Sequence, residues 1–337
     1  MHLCHKIFSL QHRHKRMPDL PIEILREIFA YFSSTLHVRE AHKFPWYLGQ
    51  ICSKWRALFF SMRSTFWGRI DIEWDHHYDN RRLIRFCKHL KMIVPFFLSR
   101  TQGGPFSFSL FRTLGYPDEK NVRWIVKDFV DHSRQWEDAS FRLESADIKF
   151  LRSVKGHLPL LKRLELIVPS YYEDAVHRSL TGILGDTPLL SHLVVENVSA
   201  WEFDWSSLTI LCVGRQENIT KFLAILQKSI NLVKLSVRDE FDSDTLGITS
   251  GSMIHFPHLE YLSILGVELL TVLETPALRC LEVLNYWSVD SDNWNEDSAS
   301  FVVKADQTVD FLRKSRLRLT LWESKSGHKI LLHTLTI

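Results

Sequence analysis

The side chains able to do chemistry are plentiful but scattered. The chain has 17 histidines, none in a His-Glu-x-x-His arrangement, and the adjacent His76-His77 pair falls in a polar interval that reads as a loop. Cys4, Cys52, Cys87, Cys212 and Cys280 are odd in number and widely spaced, with no Cys-x-x-Cys pair, which argues against a disulfide framework and a structural zinc site and fits a reducing compartment. Asp242-Ser243-Asp244 ahead of Gly247 begins like a calcium loop. Leu246 stands where the third oxygen ligand belongs and Met253 where the closing glutamate belongs, so a solvated acidic turn is expected instead. Gly247-Ile248-Thr249-Ser250-Gly251 has its serine out of place for a nucleophile elbow. With 13 glycines and neither Gly-x-x-x-x-Gly-Lys nor Gly-x-Gly-x-x-Gly, no phosphate-cradling loop is expected. The chain is therefore expected to be no enzyme and to carry no cofactor or metal. A hydrolase whose site is dispersed over the chain stays open as a third class, since convergent sites need no motif.

The 337 residues, 45% hydrophobic, suffice for a small domain followed by a large one. A net charge of +3 on 42 basic and 39 acidic residues supplies no broad field for nucleic acid or an anionic membrane. The longest apolar runs, such as Ile93 to Leu98, fall far short of a membrane span. Asn197-Val198-Ser199 and Asn218-Ile219-Thr220 match the glycosylation pattern but follow no secretory signal, so a cytoplasmic or nuclear location is expected. Residues 1–16 are basic and histidine-rich without an acid, and read as a disordered tail.

The elements that could position a function begin at Pro18. Pro21 suits the first position of a helix and Glu23 its first turn, where the helix dipole favours an anion. Ile22, Leu25, Phe29 and Phe32 form one stripe, with Ile24 and Ile28 beside it, giving the helix two apolar flanks. Pro45 introduces a second helix, in which Leu48, Ile51, Cys52, Trp55, Leu58, Phe59 and Met62 keep helical spacing throughout. A short third turn holds Phe66 and Trp67. A unit of this size cannot enclose so much apolar surface alone, so one flank is expected to bind a partner.

Leu20-Pro21-x-Glu23-Ile24-Leu25-x-x-Ile28-Phe29, followed by Cys52-Ser53-Lys54-Trp55-Arg56 and Phe66-Trp67, resembles the F-box, with a longer and more polar Ser33 to Phe44 link than that module usually has. The resemblance implies docking onto the Skp adaptor of cullin-based ubiquitin ligases. It places Leu20, Pro21, Ile24, Leu25, Ile28 and Phe29 at the adaptor, with Trp55 and Trp67 supporting the helix arrangement.

Downstream, Ile70-Asp71-Ile72 and Phe106 to Leu110 alternate as strands, and Leu83 to Val94 form an amphipathic helix that Pro95 should end or kink. Helices are expected around Val122 to Phe129 and Ile148 to Val154, with a strand at Ala139, Phe141 and Leu143 between them. Then a unit recurs six times: Leu161-x-x-Leu164-x-Leu166, Leu190-x-x-Leu193-x-Val195, Leu208-x-x-Leu211-x-Val213, Leu232-x-x-Leu235-x-Val237, Leu259-x-x-Leu262-x-Ile264 and Leu278-x-x-Leu281-x-Val283. Pro159, Pro188, Pro257 and Pro276 each precede a copy by two residues. Helices are expected between copies at Glu173 to Leu184 and Ile219 to Leu226, and after them at Thr308 to Arg313. The spacing, between 18 and 29 residues, brackets that of leucine-rich repeats, which these copies resemble. The usual Asn or Cys after the last motif leucine is replaced by Pro169, Val198, Gln216, Glu240, Val267 and Tyr286, so irregular turns are expected. An ordinary α/β domain with leucine-rich strands is the alternative. Leu332-His333-Thr334-Leu335-Thr336-Ile337 reads as the start of a further copy, which makes a shortened form the expectation.

The expected fold is thus α/β, a small N-terminal helical F-box followed by an irregular solenoid of leucine-rich-repeat type with a parallel sheet. Its expected divisions are a tail at 1–16, the F-box at 17–72, a connecting helix and first strand at 73–120, and repeats at 121–337. Resemblance to fungal F-box proteins of this build implies a non-catalytic substrate receptor of a Skp–cullin–F-box ligase, with the repeats holding a protein target. The alternative is a scaffold protein that directs no degradation. Trp201, Trp205, Tyr286, Trp287 and Trp294 lie near or after repeat strands, as candidates either for the target surface or for filling an irregular core.

Overall fold

The structure, a computed structural model, describes residues 20–32, 35–74, 80–112, 119–143, 145–168, 182–198, 201–214, 216, 218–238, 253–265, 268–284, 311, 319–323 and 329–334. The basic tail, His76-His77, the acidic turn expected at Asp242, the loop expected at Gly247, and Tyr286, Trp287 and Trp294 lie outside these residues. So do the body of the Glu173 helix and, apart from Phe311, the Thr308 helix.

The chain folds as mixed α/β around one 12-stranded sheet. Ten strands run parallel, in the order β1 (Thr35–His37), β2 (Arg69–Trp74), β3 (Phe106–Arg112), β4 (Trp136–Arg142), β5 (Arg163–Ile167), β6 (His192–Val195), β7 (Ile210–Val213), β8 (Lys234–Val237), β10 (Tyr261–Leu265) and β12 (Cys280–Leu284). The two-residue strands β9 (Ile254–His255) and β11 (Leu273–Glu274) form a separate small sheet.

Each strand turns alternate side chains inward, and the motif leucines fall in register. Leu164, Leu193, Leu211, Leu235, Leu262 and Leu281 lie side by side, and Leu166, Val195, Val213, Val237, Ile264 and Val283 form the next row. All are buried. A strand cannot cover its own leucines, whereas stacked neighbours cover one another. The ladder begins four strands before the leucine motif does: Leu36, Ile70, Phe108 and Ala139 continue the first row, and Ile72, Leu110 and Phe141 the second.

Helices cover the leucine side. Phe97 of helix Asn80–Thr101 meets Phe106, and Phe129 of helix Glu119–Asp131 stacks on Phe108 at 4.3 Å and 8°. Helix Ile219–Lys228 starts as the sequence anticipates, with the Asn218 side chain accepting from the Lys221 N–H, and buries Phe222, Leu223, Ile225 and Leu226. The expected helix at Ile148 to Val154 is instead the short helix Ser145–Ile148 followed by a 3-10 turn, Lys149–Val154.

Several expectations are corrected. The first helix is Ile22–Ala30, and Pro21 stands just outside it with extended ψ, as Pro45 stands before the 3-10 helix Trp46–Gln50. The second helix is broken: after that 3-10 helix, Cys52 is extended (φ −157°, ψ 172°), and the α-helix begins at Ser53 and ends at Ser61. Helix Asn80–Thr101 runs through Pro95 rather than ending there, because burial of Val94, Phe97 and Leu98 offsets the missing bond. The last strands, β13 (Leu319–Glu323) and β14 (Lys329–Thr334), pair antiparallel, and β14 is antiparallel to β12. Residues 332–334 therefore belong to a returning strand and do not begin another parallel copy.

The polar link from Ser33 to Phe44 also acquires a role. It supplies β1, which pairs with β2, and the 3-10 helix Val38–Lys43. Phe44, Trp46, Trp67 and Phe96 pack ring on ring, with the Trp67 N–H donating to the Phe59 carbonyl (3.2 Å) and the Trp46 N–H to that of Ala41 (2.7 Å). Residues 20–74 thus share one sheet and one buried core with the rest of the chain, and β2 runs across the boundary anticipated after residue 72.

Candidate functional site

Two surfaces stand out: a flank of the first helix, and the sheet face opposite the leucines. On helix Ile22–Ala30, Leu25 and Phe29 point inward and are 1% and 0% exposed, with the Phe29 ring 5.0 Å from Trp55 and 6.1 Å from Phe66. Ile24, Ile28 and Tyr31 recur at helical spacing on the adjoining flank, where Ile24 is 49% and Tyr31 90% exposed and Ile28 is half-buried. Pro21 is exposed, Leu20 is partly buried, and the Leu20 carbonyl accepts from the Lys54 ammonium at 2.9 Å.

The structure thereby divides the six residues assigned to the adaptor. Leu20, Pro21, Ile24 and Ile28 retain accessible surface, whereas Leu25 and Phe29 are enclosed by this chain and a partner reaches them only by opening the core. Trp67 is fully buried with its ring 5.2 Å from Phe59, and Trp55 is half-buried against Phe29. Ile22, Tyr47 and Ile51 are further exposed apolar side chains of the same unit.

On the sheet face, registration makes rows of polar side chains. Arg69, Ser107, Asp138, Arg163, His192, Ile210, Lys234, Tyr261 and Cys280 form one, and Asp71, Ser109, Ser140, Glu165, Val194, Cys212, Ser236, Ser263 and Glu282 the next. Between β1 and β5 the charges pair in a chain. His37 Nδ1 is 3.2 Å from Asp71, Arg69 bonds Asp71 and Asp138 at 3.2 Å each, and Arg163 lies 3.7 Å from Asp138 and 3.2 Å from Glu165. A shallow cleft of about 280 Å³ opens at the β1 end, lined by His37, Arg39, Glu40, Asp71 and Glu73.

Burial governs ionisation on this face. It holds the His192 imidazole down at about 4, with Arg163 and Lys234 adding to the effect, so the ring is neutral at pH 7. It pushes the Cys212 and Cys280 thiols up, which disfavours the nucleophilic thiolate. It also raises Asp138, against the opposing pull of Arg163 and Arg69. Burial raises Tyr261 as well, and its hydroxyl donates to Glu282 at 2.5 Å. Among the described residues no three His, Cys, Asp or Glu side chains gather as a metal site.

The position three residues after a motif's last apolar residue was expected to leave its turn irregular. At one copy Gln216 closes it: its Oε1 accepts from the Val198 N–H (3.2 Å), and its Nε2 donates to the Glu196 and Gly214 carbonyls (2.9 and 3.0 Å). Its amide, like asparagine's, both donates and accepts, which is the signal the sequence offered. Trp201 and Trp205 are core residues, Trp201 donating to the Asn197 carbonyl at 3.1 Å and Trp205 lying against Phe203, so neither lines a target surface.

The chain is thus a mixed α/β protein with a large parallel sheet, and among its described residues no helix is long and apolar enough to cross a membrane. No protein-family model matches it, and no curated protein does.

Proposed function

We propose that this chain is the substrate-recognition subunit of a Skp–cullin–F-box type ubiquitin ligase. Residues 20–74 act as the F-box that docks on the adaptor, and the leucine-motif strands act as a leucine-rich-repeat solenoid that holds a protein target on its polar face. The observation that carries the reading is the split of the first helix. Its Leu25 and Phe29 side satisfies the chain's own core, yet Ile24 and Tyr31 remain exposed beside it. A second apolar flank adds nothing to an isolated fold and suits a partner. The receptor itself makes and breaks no bond; it brings the target to the ligase.

Co-expression with a Skp-type adaptor tests the proposal. A stable complex in size-exclusion chromatography is expected, lost when residues of the exposed flank are replaced by charged ones. Separate elution of the two proteins at micromolar concentration overturns it. Partners whose abundance ignores proteasome inhibition, with adaptor binding intact, favour a scaffold that directs no degradation.

A further inference from the structure

The turns that lead into β5, β6 and β7 lie side by side, because these strands are neighbours in the sheet. They frame a cleft of about 500 Å³, large enough for a small ligand or a short piece of chain. Pro159, Leu184, Pro188 and Phe203 give it apolar walls, and the Phe203 ring is fixed against Trp205 with centroids 4.2 Å apart. Leu160 and Leu189, next in sequence to the two prolines, stay 37% and 47% exposed, so further apolar surface adjoins the cleft.

The charge lining the cleft is of one sign, supplied by Asp186 and Asp204 from different turns. Asp186 is exposed, its Oδ2 lies 3.6 Å from where a Cβ on Gly156 would stand, and it makes no hydrogen bond or ion pair with a described residue. Asp204 Oδ1 accepts from the Ser206 hydroxyl (2.6 Å) and N–H (3.0 Å), which holds the carboxyl below its usual range and leaves Oδ2 without a partner among the described residues. The cations nearby line no part of the cleft: Lys155 lies over Gly182, and Lys162 pairs with Glu137 at 2.6 Å. Over the turns 155–160, 182–189 and 202–207, Lys155 stands against Asp186, Glu202 and Asp204, with His157 neutral at pH 7. The field in the cleft is therefore negative, although the whole chain carries +3.

We propose that this cleft receives an arginine-bearing segment of a partner protein, the guanidinium lying against Phe203 with its charge met by Asp186 and Asp204. Carboxylates joined to an aromatic wall select arginine over lysine, because the guanidinium is planar, weakly hydrated, stacks on a ring and carries donors in a fixed fork. The volume exceeds one guanidinium, and the adjoining leucines suit the residues that flank it. The cleft belongs neither to the first helix nor to the polar sheet face, so the proposal stands apart from the receptor reading.

The test is fluorescence anisotropy on the full chain with labelled hexa-arginine, and with hexalysine and the uncharged isostere hexacitrulline as controls. Hexa-arginine should bind more tightly than hexalysine and about tenfold or more tighter than hexacitrulline, weakening as salt rises. Asp186→Asn/Asp204→Asn should weaken its binding about tenfold or more, while an asparagine side chain still accepts from the Ser206 N–H and keeps the turn. Phe203→Leu should bring arginine and lysine peptides within about twofold of each other. Asp131→Asn/Glu274→Gln, the same change in net charge at exposed sites elsewhere, should leave binding within about twofold. Hexa-arginine binding no tighter than either control peptide, unchanged binding in the Asp186/Asp204 pair, or equal weakening by the Asp131/Glu274 pair overturns the proposal; equal binding of hexacitrulline would mark a purely apolar docking cleft. Should the Asp186/Asp204 pair fail to fold, Asp186→Asn alone, at an exposed side chain, decides. Adaptor binding does not enter the readout, so failure here leaves the receptor reading untouched, and failure of that reading leaves the cleft untouched.

Discussion

Neighbouring residues of the first helix should respond in opposite ways, since Ile24 is 49% exposed and Leu25 is 1% exposed. Burying a whole isoleucine is worth about 1.5–3 kcal/mol, so covering the remaining half on docking contributes ~1 kcal/mol. Replacing Ile24 with Asp removes that and leaves an unpaired carboxylate in the contact, a further ~2 kcal/mol. The sum of about 3 kcal/mol weakens adaptor binding roughly 100-fold. Folding should be spared, within ~0.5 kcal/mol, because the site is exposed and an acid near a helix start suits the dipole. Leu25→Ala should instead cost about 2–5 kcal/mol of stability through the cavity it opens. Isothermal titration with the adaptor and urea unfolding, on both variants, measure the two effects separately. The reasoning fails if Ile24→Asp binds within threefold of the native chain, or if Leu25→Ala leaves the unfolding midpoint in place.

Other expectations concern the supports and the sheet. Trp67→Ala should cost about 3–5 kcal/mol in chemical unfolding, and more than Trp55→Ala, because Trp67 is fully buried and Trp55 only half so. Leu36→Asp places a charge at a fully buried position of β1 and should destabilise the junction between residues 20–74 and the sheet by ~3 kcal/mol or more, read as faster amide exchange in β2. His192 ionises near 4 when folded and near 6.5 when unfolded, so between these values the unfolded chain binds more protons. Its contribution to stability is then complete above pH 6.5 and is lost as pH falls toward 4, on the order of 2 kcal/mol after solvent screening. His192→Gln should flatten the pH dependence of the melting temperature in that window, and an unchanged slope would count against the assignment.

The leucine repeats were legible as sequence because each strand states its own inward positions: the Leu-x-x-Leu-x-Leu spacing is local, and all six copies fall in register. The two apolar flanks of the first helix were legible for the same reason. Long-range partners decided the rest. Which flank is buried depends on Trp55 and Phe66 arriving against Phe29, which no spacing in Ile22–Ala30 records. Phe108, Ala139 and Phe141 occupy leucine positions in the ladder, but aromatic and alanine residues hid the match. A polar link became an edge strand because β2 offered it unpaired backbone groups, and Pro95 stayed inside a helix because the flanking aromatic burial outweighed the bond it lacks. Local pattern determined which side chains wanted shelter; only the assembled sheet and its covering helices decided what sheltered them, because burial is a property of neighbours far apart in the chain.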